Sequence, residues 1–373
     1  MRRAIQIAQP QIGKEELEAV ASVLKSGILT SKSSDGPYVK KLEESFAKYV
    51  GVKNAFSVNS GTAALHTALL AADIGEGDEV IVPSFTFSAT SGAVLLAGAK
   101  PVFVDIDPQT FCMDPESFQS AITSRTRAVI PVHIFGLLAD MEKICLIAKE
   151  HNIIVIEDAA QALGAQQNQK QAGCHGDIGC FSFYASKNIT TGEGGMLSTN
   201  RRDYAEAIVS IRNHGEGKLY TSERLGHNYR MSEIAAAIGY HQLMKLPNFL
   251  EIRKRNAAML TSLLESFARF VLPVEPPGFE HAWYVYTVRL RGSRAGERNK
   301  LVSKLIASSV HVETYYSTPA HLSVMYRRKF GYKPGSLPKT ETTSRQVFSL
   351  PVHPGLGEEE LQFISQKIGK VMS

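Results

Sequence analysis

Between Asn54 and Asn200 short apolar runs alternate with longer segments of helical periodicity, the sequence sign of βα units wound around a mainly parallel sheet. Strands are predicted over Asn54–Asn59, Glu79–Pro83, Pro101–Asp105, Ala128–His133, Ile153–Asp158, Asp177–Tyr184 and Gly194–Ser198, with helices over Thr62–Ala72 and Met141–Glu150. Several of these strands are apolar throughout, as strands covered on both faces should be. After Tyr229 the pattern changes. MSEIAAAIGYHQLMKL and NFLEIRKRNAAMLTSLLESF read as a long helix leading to a new unit, in which WYVYTVRL, NKLVSKLIAS and GEEELQFISQKIGKV supply a strand and helices. The expected architecture is α/β, with a large domain over residues 1–247 (the N-terminal segment included) and a smaller C-terminal α/β domain over 248–373. No internal repeat or low-complexity segment interrupts it.

A chain of 373 residues, 44% hydrophobic and 21% charged, removes roughly three quarters of its unfolded surface from water, enough to bury polar catalytic groups. The formal net charge of +5 is spread along the chain without a long basic block, so nucleic acid is not an expected partner, while a phosphate-bearing substrate would suit it. Cys112, Cys145, Cys174 and Cys180 form no CxxC pair and read as reduced thiols, and no metal site is expected. The start, MRRAIQIAQPQIG, breaks at Gln and Pro before any apolar stretch, and no segment reaches the roughly 18 apolar residues of a membrane span. A cytoplasmic protein without a membrane partner is therefore expected.

Three segments carry chemistry. In NSGTAALHTALLA, Asn59, Ser60, Gly61 and Thr62 stand between a strand end and an Ala-rich helix. A helix start leaves backbone N–H groups free and presents the positive end of the dipole, and Gly61 lets a phosphate come close. The plainer role for Ser60 or Thr62 is to cap the helix. In IIVIEDAAQALGA, Glu157 and Asp158 end a strand at the edge where open α/β sheets bind ligands. A carboxylate there can pair with a ring nitrogen and keep it protonated, so that the ring draws off carbanion electrons. Asp158 suits that role, and Glu157 should point the other way because strand side chains alternate. The alternative is a solvated pair of acids.

In CFSFYASKNITTGEGGMLST, Lys187 follows an apolar strand and precedes a turn containing Gly192, Gly194 and Gly195. A lysine amine withdrawn from water and close to a cation becomes available as a nucleophile toward an aldehyde, and Ser182 can add a hydroxyl donor to a phosphate. Most lysines are solvated surface charges, and the order of the three segments is what singles this one out.

With those parts in that order, the chain resembles the DegT/DnrJ/StrS-type sugar aminotransferases, a branch of the fold type I, aspartate-aminotransferase-like enzymes that use pyridoxal 5′-phosphate (PLP). The resemblance implies that Lys187 holds PLP as a Schiff base, with Ser182 on its phosphate and Asp158 at the pyridine nitrogen. It also places Gln161 beside the cofactor, where some relatives carry His. Gly61 and Thr62 match the phosphate contacts, with Ser60 beside them, and Phe87 of PSFTFSAT falls on the aromatic that stacks over the ring. LGHNYRMSEIAAAIGY is similar to the segment that enters the neighbouring subunit, with Asn228 on the other chain's phosphate, which implies a homodimer with shared sites. HAWYVYTVRL, HVETYYSTPAHL and SLPVHPGL extend the likeness over nearly the whole chain and place His321 and His353 on the small domain's face toward the site. GILTSKSSDGPYVKKLE departs from the family pattern by a longer Ser-rich turn.

The implied reaction moves an amino group from an amino acid, L-glutamate by expectation, to a nucleotide-diphosphate-linked keto-deoxysugar, giving an amino sugar for polysaccharide, glycan or antibiotic biosynthesis. Arg212, His214, Lys218, Tyr220, Arg230 and His321 are the candidates for substrate contacts. Rival readings are transamination of a keto-cyclitol, PLP-dependent sugar dehydration, and a regulatory PLP-binding protein without turnover. Retention of Lys187 and Asp158 argues against the last two.

Overall fold

A computed structural model describes residues 4–30, 36–218 and 220–372. Its helices are α1 (Lys14–Ser26), α2 (Pro37–Val50), α3 (Gly61–Ala71), α4 (Ser88–Leu96), α5 (Met141–Glu150), α6 (Arg202–Ile211), α7 (Glu233–Leu264), α8 (Ala295–Ala307), α9 (Pro338–Gln346) and α10 (Glu358–Met372), besides shorter turns. The main strands are β1 (Asn54–Val58), β2 (Glu79–Pro83), β3 (Lys100–Val104), β4 (Thr126–Val129), β5 (Ile154–Asp158), β6 (Ile178–Ser182) and β7 (Gly195–Thr199), then β8 (Phe270–Val271), β9 (Tyr286–Leu290) and β10 (Val347–Leu350).

The first seven strands form one sheet in the order β1-β7-β6-β5-β4-β2-β3. Only β7 runs against its neighbours β1 and β6, while β6, β5, β4, β2 and β3 pair in parallel. The apolar runs are explained by two-sided burial. Within β2 every residue is buried, Val80 and Val82 facing the cluster under α3 and α4, and Ile81 the cluster on the other face with α2 and α5. The α/β architecture expected from the sequence is thus present, with strand ends within a few residues of the prediction.

The largest difference is in β4. The run predicted over Ala128–His133 is regular only to Val129, because Pro131 has no N–H to give the ladder. Beyond it the chain keeps a bridge from Val132 to Asp158, in which Asp158 N donates to Pro131 O at 2.9 Å and His133 N to Asp158 O at 3.0 Å.

Helix starts use the side chains expected of caps: Ser60 accepts from Ala63 N for α3, Asp140 from Lys143 N for α5, and Ser232 from Ala235 N for α7. The boundary expected near Pro247 falls inside α7, a helix of 32 residues that runs through it. Leu243, Leu246 and Phe249 belong to the core beside the large sheet, whereas Ala257, Leu260 and Leu264 pack on the antiparallel sheet β8-β9-β10 with Leu301, Leu305, Leu361 and Ile364. Ile5 joins that second core and bridges Val310, so the N-terminal segment packs with C-terminal residues. All four cysteines are free thiols. Among the described residues no helix is long and apolar enough to cross a membrane. Part of the Ser-rich turn, residues 31–35, lies outside the described residues.

Candidate active site

The carboxyl ends of β2, β5 and β6 and the start of α3 converge on a cavity of about 460 Å³. Gly61, Thr62, Phe87, Asp158, Gln161, Ser182 and Lys187 all line it, so the structure brings together seven residues singled out from sequence. A second depression of about 500 Å³, bordered by Asn152, Ile153, Gly176 and Asp177, lies at the amino ends of β5 and β6. Open α/β sheets bind ligands at the opposite edge, so the chemistry belongs to the first cavity.

Asp158 is the end of β5 and is held on both sides, by the bridge to Val132 and by Ala159 N donating to Cys180 O at 2.8 Å. Its Oδ2 accepts from Thr90 Oγ1 at 2.7 Å and its Oδ1 from Ala160 N at 3.2 Å. Burial pushes its carboxyl above the usual range, and the Thr90 bond opposes that shift. Glu157 points to the other face. There it accepts from His133 Nε2 (2.8 Å), Gly173 N (2.8 Å), His175 N (2.7 Å) and Gly176 N (2.6 Å). Burial alone would raise its pKa, but the His133 bond and those amides hold it below the usual range. The alternation predicted for the two acids is what separates an anchored structural carboxylate from one facing the cavity.

Lys187 stands in a loop closed on itself by Thr191 N and Thr190 Oγ1 donating to Phe183 O, with Gly192 at φ 81°, a conformation that favours glycine. Its neighbours are tied down. Ser186 Oγ meets Tyr284 Oη at 2.9 Å, and Asn188 Nδ2 donates to Leu163 O and Ala282 O. The ammonium group lies over the Tyr284 ring, 4.5 Å from its centroid.

The phosphate end fits by space as well as by donors. A Cβ on Gly61 would come within 2.8 Å of Ser182 Cβ, so the helix start and the serine form a cradle that only glycine leaves open. Gln161 is oriented by two bonds, its Oε1 accepting from Phe135 N (2.8 Å) and its Nε2 donating to Tyr316 Oη (3.0 Å). Phe87 is 59% exposed at the start of α4, a free face beside the cavity. An aldehyde-accepting amine, a buried acid for a ring nitrogen, an aromatic face and an anion cradle together fit PLP.

The other sequence candidates lie elsewhere. Ser60 caps α3 and Asn228 is exposed near the foot of a hairpin (Glu216–Lys218 with Thr221–Ser222); neither lines this cavity. His214, Lys218 and Tyr220 are exposed in and beside that hairpin, and Arg230 donates to Asn213 Oδ1 at 2.6 Å. Arg212 is a correction: it is buried, its Nη1 donates to Glu43 Oε1 (2.7 Å) and Ser57 O (2.7 Å), and it does not line the cavity. His321 is corrected likewise, being fully buried between Ser84 Oγ (2.6 Å) and Glu341 Oε1 (3.3 Å). His353 is buried against Gln6 O and does not line the cavity.

Sequence reasoning missed Thr86, Thr90, Tyr184, Ser186, Glu193, Tyr284, Tyr315 and Tyr316, all of which line the cavity. The doublet in HVETYYSTPAHL and the tyrosines of HAWYVYTVRL were the available signal.

Comparison with known proteins agrees with this geometry. A "Pleiotropic regulatory protein" of Geobacillus stearothermophilus is 42% identical over 94% of this chain and 94% of its own length. A GDP-perosamine synthase of Caulobacter vibrioides is 37% identical over 99% of this chain and 98% of its own. The crystal structure of S. venezuelae DesV, in complex with a ketimine intermediate, superposes with a TM-score of 0.90 at 37% identity, covering 95% of this chain and 94% of that one. A Streptococcus pneumoniae protein is among the solved neighbours in a PLP form, with a TM-score of 0.93 at 28% identity, covering 99% of this chain and 98% of that one. With residues 10–369 matching its profile, the chain belongs to the DegT/DnrJ/EryC1/StrS aminotransferase family and is a PLP-dependent sugar aminotransferase.

Proposed function

We propose that the chain moves an amino group from L-glutamate to a nucleotide-diphosphate-linked keto-deoxysugar, with Lys187 as the catalytic base and acid. The observation that carries this reading is the meeting of Lys187, Asp158, Gly61 and Ser182 in one cavity whose wall also includes Tyr184, Tyr284, Tyr315 and Tyr316. Among the described residues, the charged lining besides Lys187 is Asp158 and Glu193, a setting without a cluster of cations. Tyrosine faces and hydroxyls suit a neutral polyhydroxylated ring, which offers apolar C–H faces and hydrogen-bonding edges.

PLP, when bound, supplies an aldehyde that carries the amino group and a protonated ring that withdraws electrons from the substrate carbon. The residues divide the rest of the work. Lys187 would anchor the aldehyde through Nζ, and as a free amine it would take a proton from the donor's α-carbon in the first half and give one to the acceptor's amine-bearing carbon in the return half. Asp158 keeps the proton on the ring nitrogen, and burial in a water-poor cavity strengthens that pairing. Gly61, Thr62 and Ser182 hold the phosphate, and Phe87 orients the ring. Gln161, fixed by Phe135 and Tyr316, would stand beside the bound ring.

The nucleotide of the acceptor extends out of the cavity. Asn228 and the exposed His214, Lys218 and Tyr220 then serve the cavity of a second copy, so the active form is a homodimer with shared sites, as expected from the family resemblance. The regulatory name of the Geobacillus relative raises the alternative of PLP binding without turnover. One assay separates them. PLP-loaded protein given L-glutamate should release 2-oxoglutarate and lose its aldehyde absorbance, and then aminate a nucleotide-linked keto sugar in preference to a free keto-cyclitol. Failure of the first half with any amino acid would overturn the enzymatic reading, and preference for the cyclitol would overturn the acceptor.

A further inference from the structure

Asp158 does not stand alone in the cavity wall. Thr90 Oγ1 donates its one proton to Asp158 Oδ2, and Thr86 Oγ1 lies 2.7 Å from Thr90 Oγ1. With Thr90's proton already used, Thr86 must be the donor in that second bond. The result is a directed chain, Thr86 to Thr90 to Asp158, and both threonines are buried. It begins in the segment that presents Phe87, whose carbonyl accepts from Thr90 N at 3.3 Å.

We propose that Thr90 is the positioning residue for the acid that pairs with the cofactor ring, with Thr86 as its support. This rests on the reading of Asp158 as the partner of the ring nitrogen. The Thr90 hydroxyl occupies Oδ2 and fixes the plane of the carboxylate, so that Oδ1, which among the described residues takes only the Ala160 amide, keeps acceptor capacity toward the cavity. It also opposes the effect of burial, which raises the pKa of this carboxyl, and so favours the anion. A neutral acid cannot keep a proton on a ring nitrogen. The same short segment therefore supplies the aromatic face for the ring and the hydroxyl chain that sets its charge.

The titratable groups facing Asp158 are Lys187 in the cavity, His133 and Tyr316 nearby, and Cys180 on the neighbouring strand. None of them occupies Oδ2 by a hydrogen bond, so loss of Thr90 would not be compensated by rotation onto another donor.

The test compares Thr90→Val, Thr90→Ser, Thr86→Val and Asp158→Asn with the native protein. The readouts are PLP affinity of the cofactor-free protein by fluorescence and the pH dependence of the bound cofactor's absorbance. Thr90→Val should bind PLP about tenfold more weakly and shift the absorbance titration. Thr90→Ser should restore both, and Thr86→Val should show the same change at smaller size. Native behaviour of Thr90→Val beside an impaired Asp158→Asn would overturn the role of Thr90 alone. Native behaviour of Asp158→Asn would overturn the reading of Asp158 itself. If Thr90→Val does not fold, the decision passes to the other pair: Thr86→Val impaired with Thr90→Ser native supports the chain, and Thr86→Val native overturns it.

Discussion

The Lys187 ammonium lies 4.5 Å from the centroid of the Tyr284 ring, and the hydroxyl of that ring is bonded to Ser186, the residue before the lysine. A ring face attracts a cation through its quadrupole, so Tyr284 gives the amine a resting place when it is not bonded to the aldehyde. The backbone just before the lysine is tied to the same side chain, which limits how far the amine can wander between the two proton transfers.

Removing that face should slow the reaction without removing the base. For Tyr284→Leu the glutamate half-reaction, followed by stopped-flow absorbance, is expected to fall roughly 3- to 30-fold, the range of a cation–π contact. Tyr284→Phe keeps the face and should stay closer to the native rate. Equal losses in the two variants would assign the effect to the hydroxyl and Ser186.

Gly61 has no room for a side chain toward Ser182, so Gly61→Val should weaken PLP binding by at least about tenfold, or about 1.4 kcal/mol. Titration of the cofactor-free variant with PLP checks this. Unchanged affinity would place the phosphate elsewhere.

Arg212→Ala should act on stability and not on substrate choice. It leaves Glu43 buried without its cation, a loss of about 3–5 kcal/mol for a broken buried pair. Denaturant melts read the cost, and the KM for the acceptor of the remaining folded enzyme should be native. A raised KM with native stability would return Arg212 to the list of substrate contacts.

Acid should destabilise the protein through His353. Burial, with Arg253 adding repulsion, brings its pKa down to about 4, and its Nδ1 is buried without a hydrogen-bond partner among the described residues while Nε2 faces Gln6 O. Between the unfolded value near 6.5 and about 4 the unfolded chain binds a proton that the native state refuses, so stability falls as the pH falls through that window. The loss is on the order of 3 kcal/mol at its end. Thermal melts of His353→Gln should be flatter over pH 4 to 6.5 than those of the native protein.

What could be read in the sequence follows from how local each signal was. The two-sided burial of β2 and β5 writes itself as apolar runs, and the strand-end alternation of Glu157 and Asp158 follows from the pleat, so both were visible within a few residues. Gly61, Ser182 and Lys187 fall in short motifs whose meaning came from their order. Tyr316 reaches both Phe87 and Gln161 across more than 150 positions, and no local pattern marks such a meeting. Arg212 and His321 misled for a related reason. A charged or titratable side chain reads alike whether it faces a substrate or is consumed by a buried partner such as Glu43 or Glu341.

The cavity is assembled from two stretches of chain that do different jobs. Gly61, Asp158, Ser182 and Lys187 come from the segment wound around the large sheet, whereas Tyr284, Tyr315 and Tyr316 arrive after the long helix α7. Tyr284 and Tyr316 tie the two stretches together through Ser186 and Gln161. A substitution in the C-terminal third therefore acts on the lysine's surroundings as well as on the space beside them.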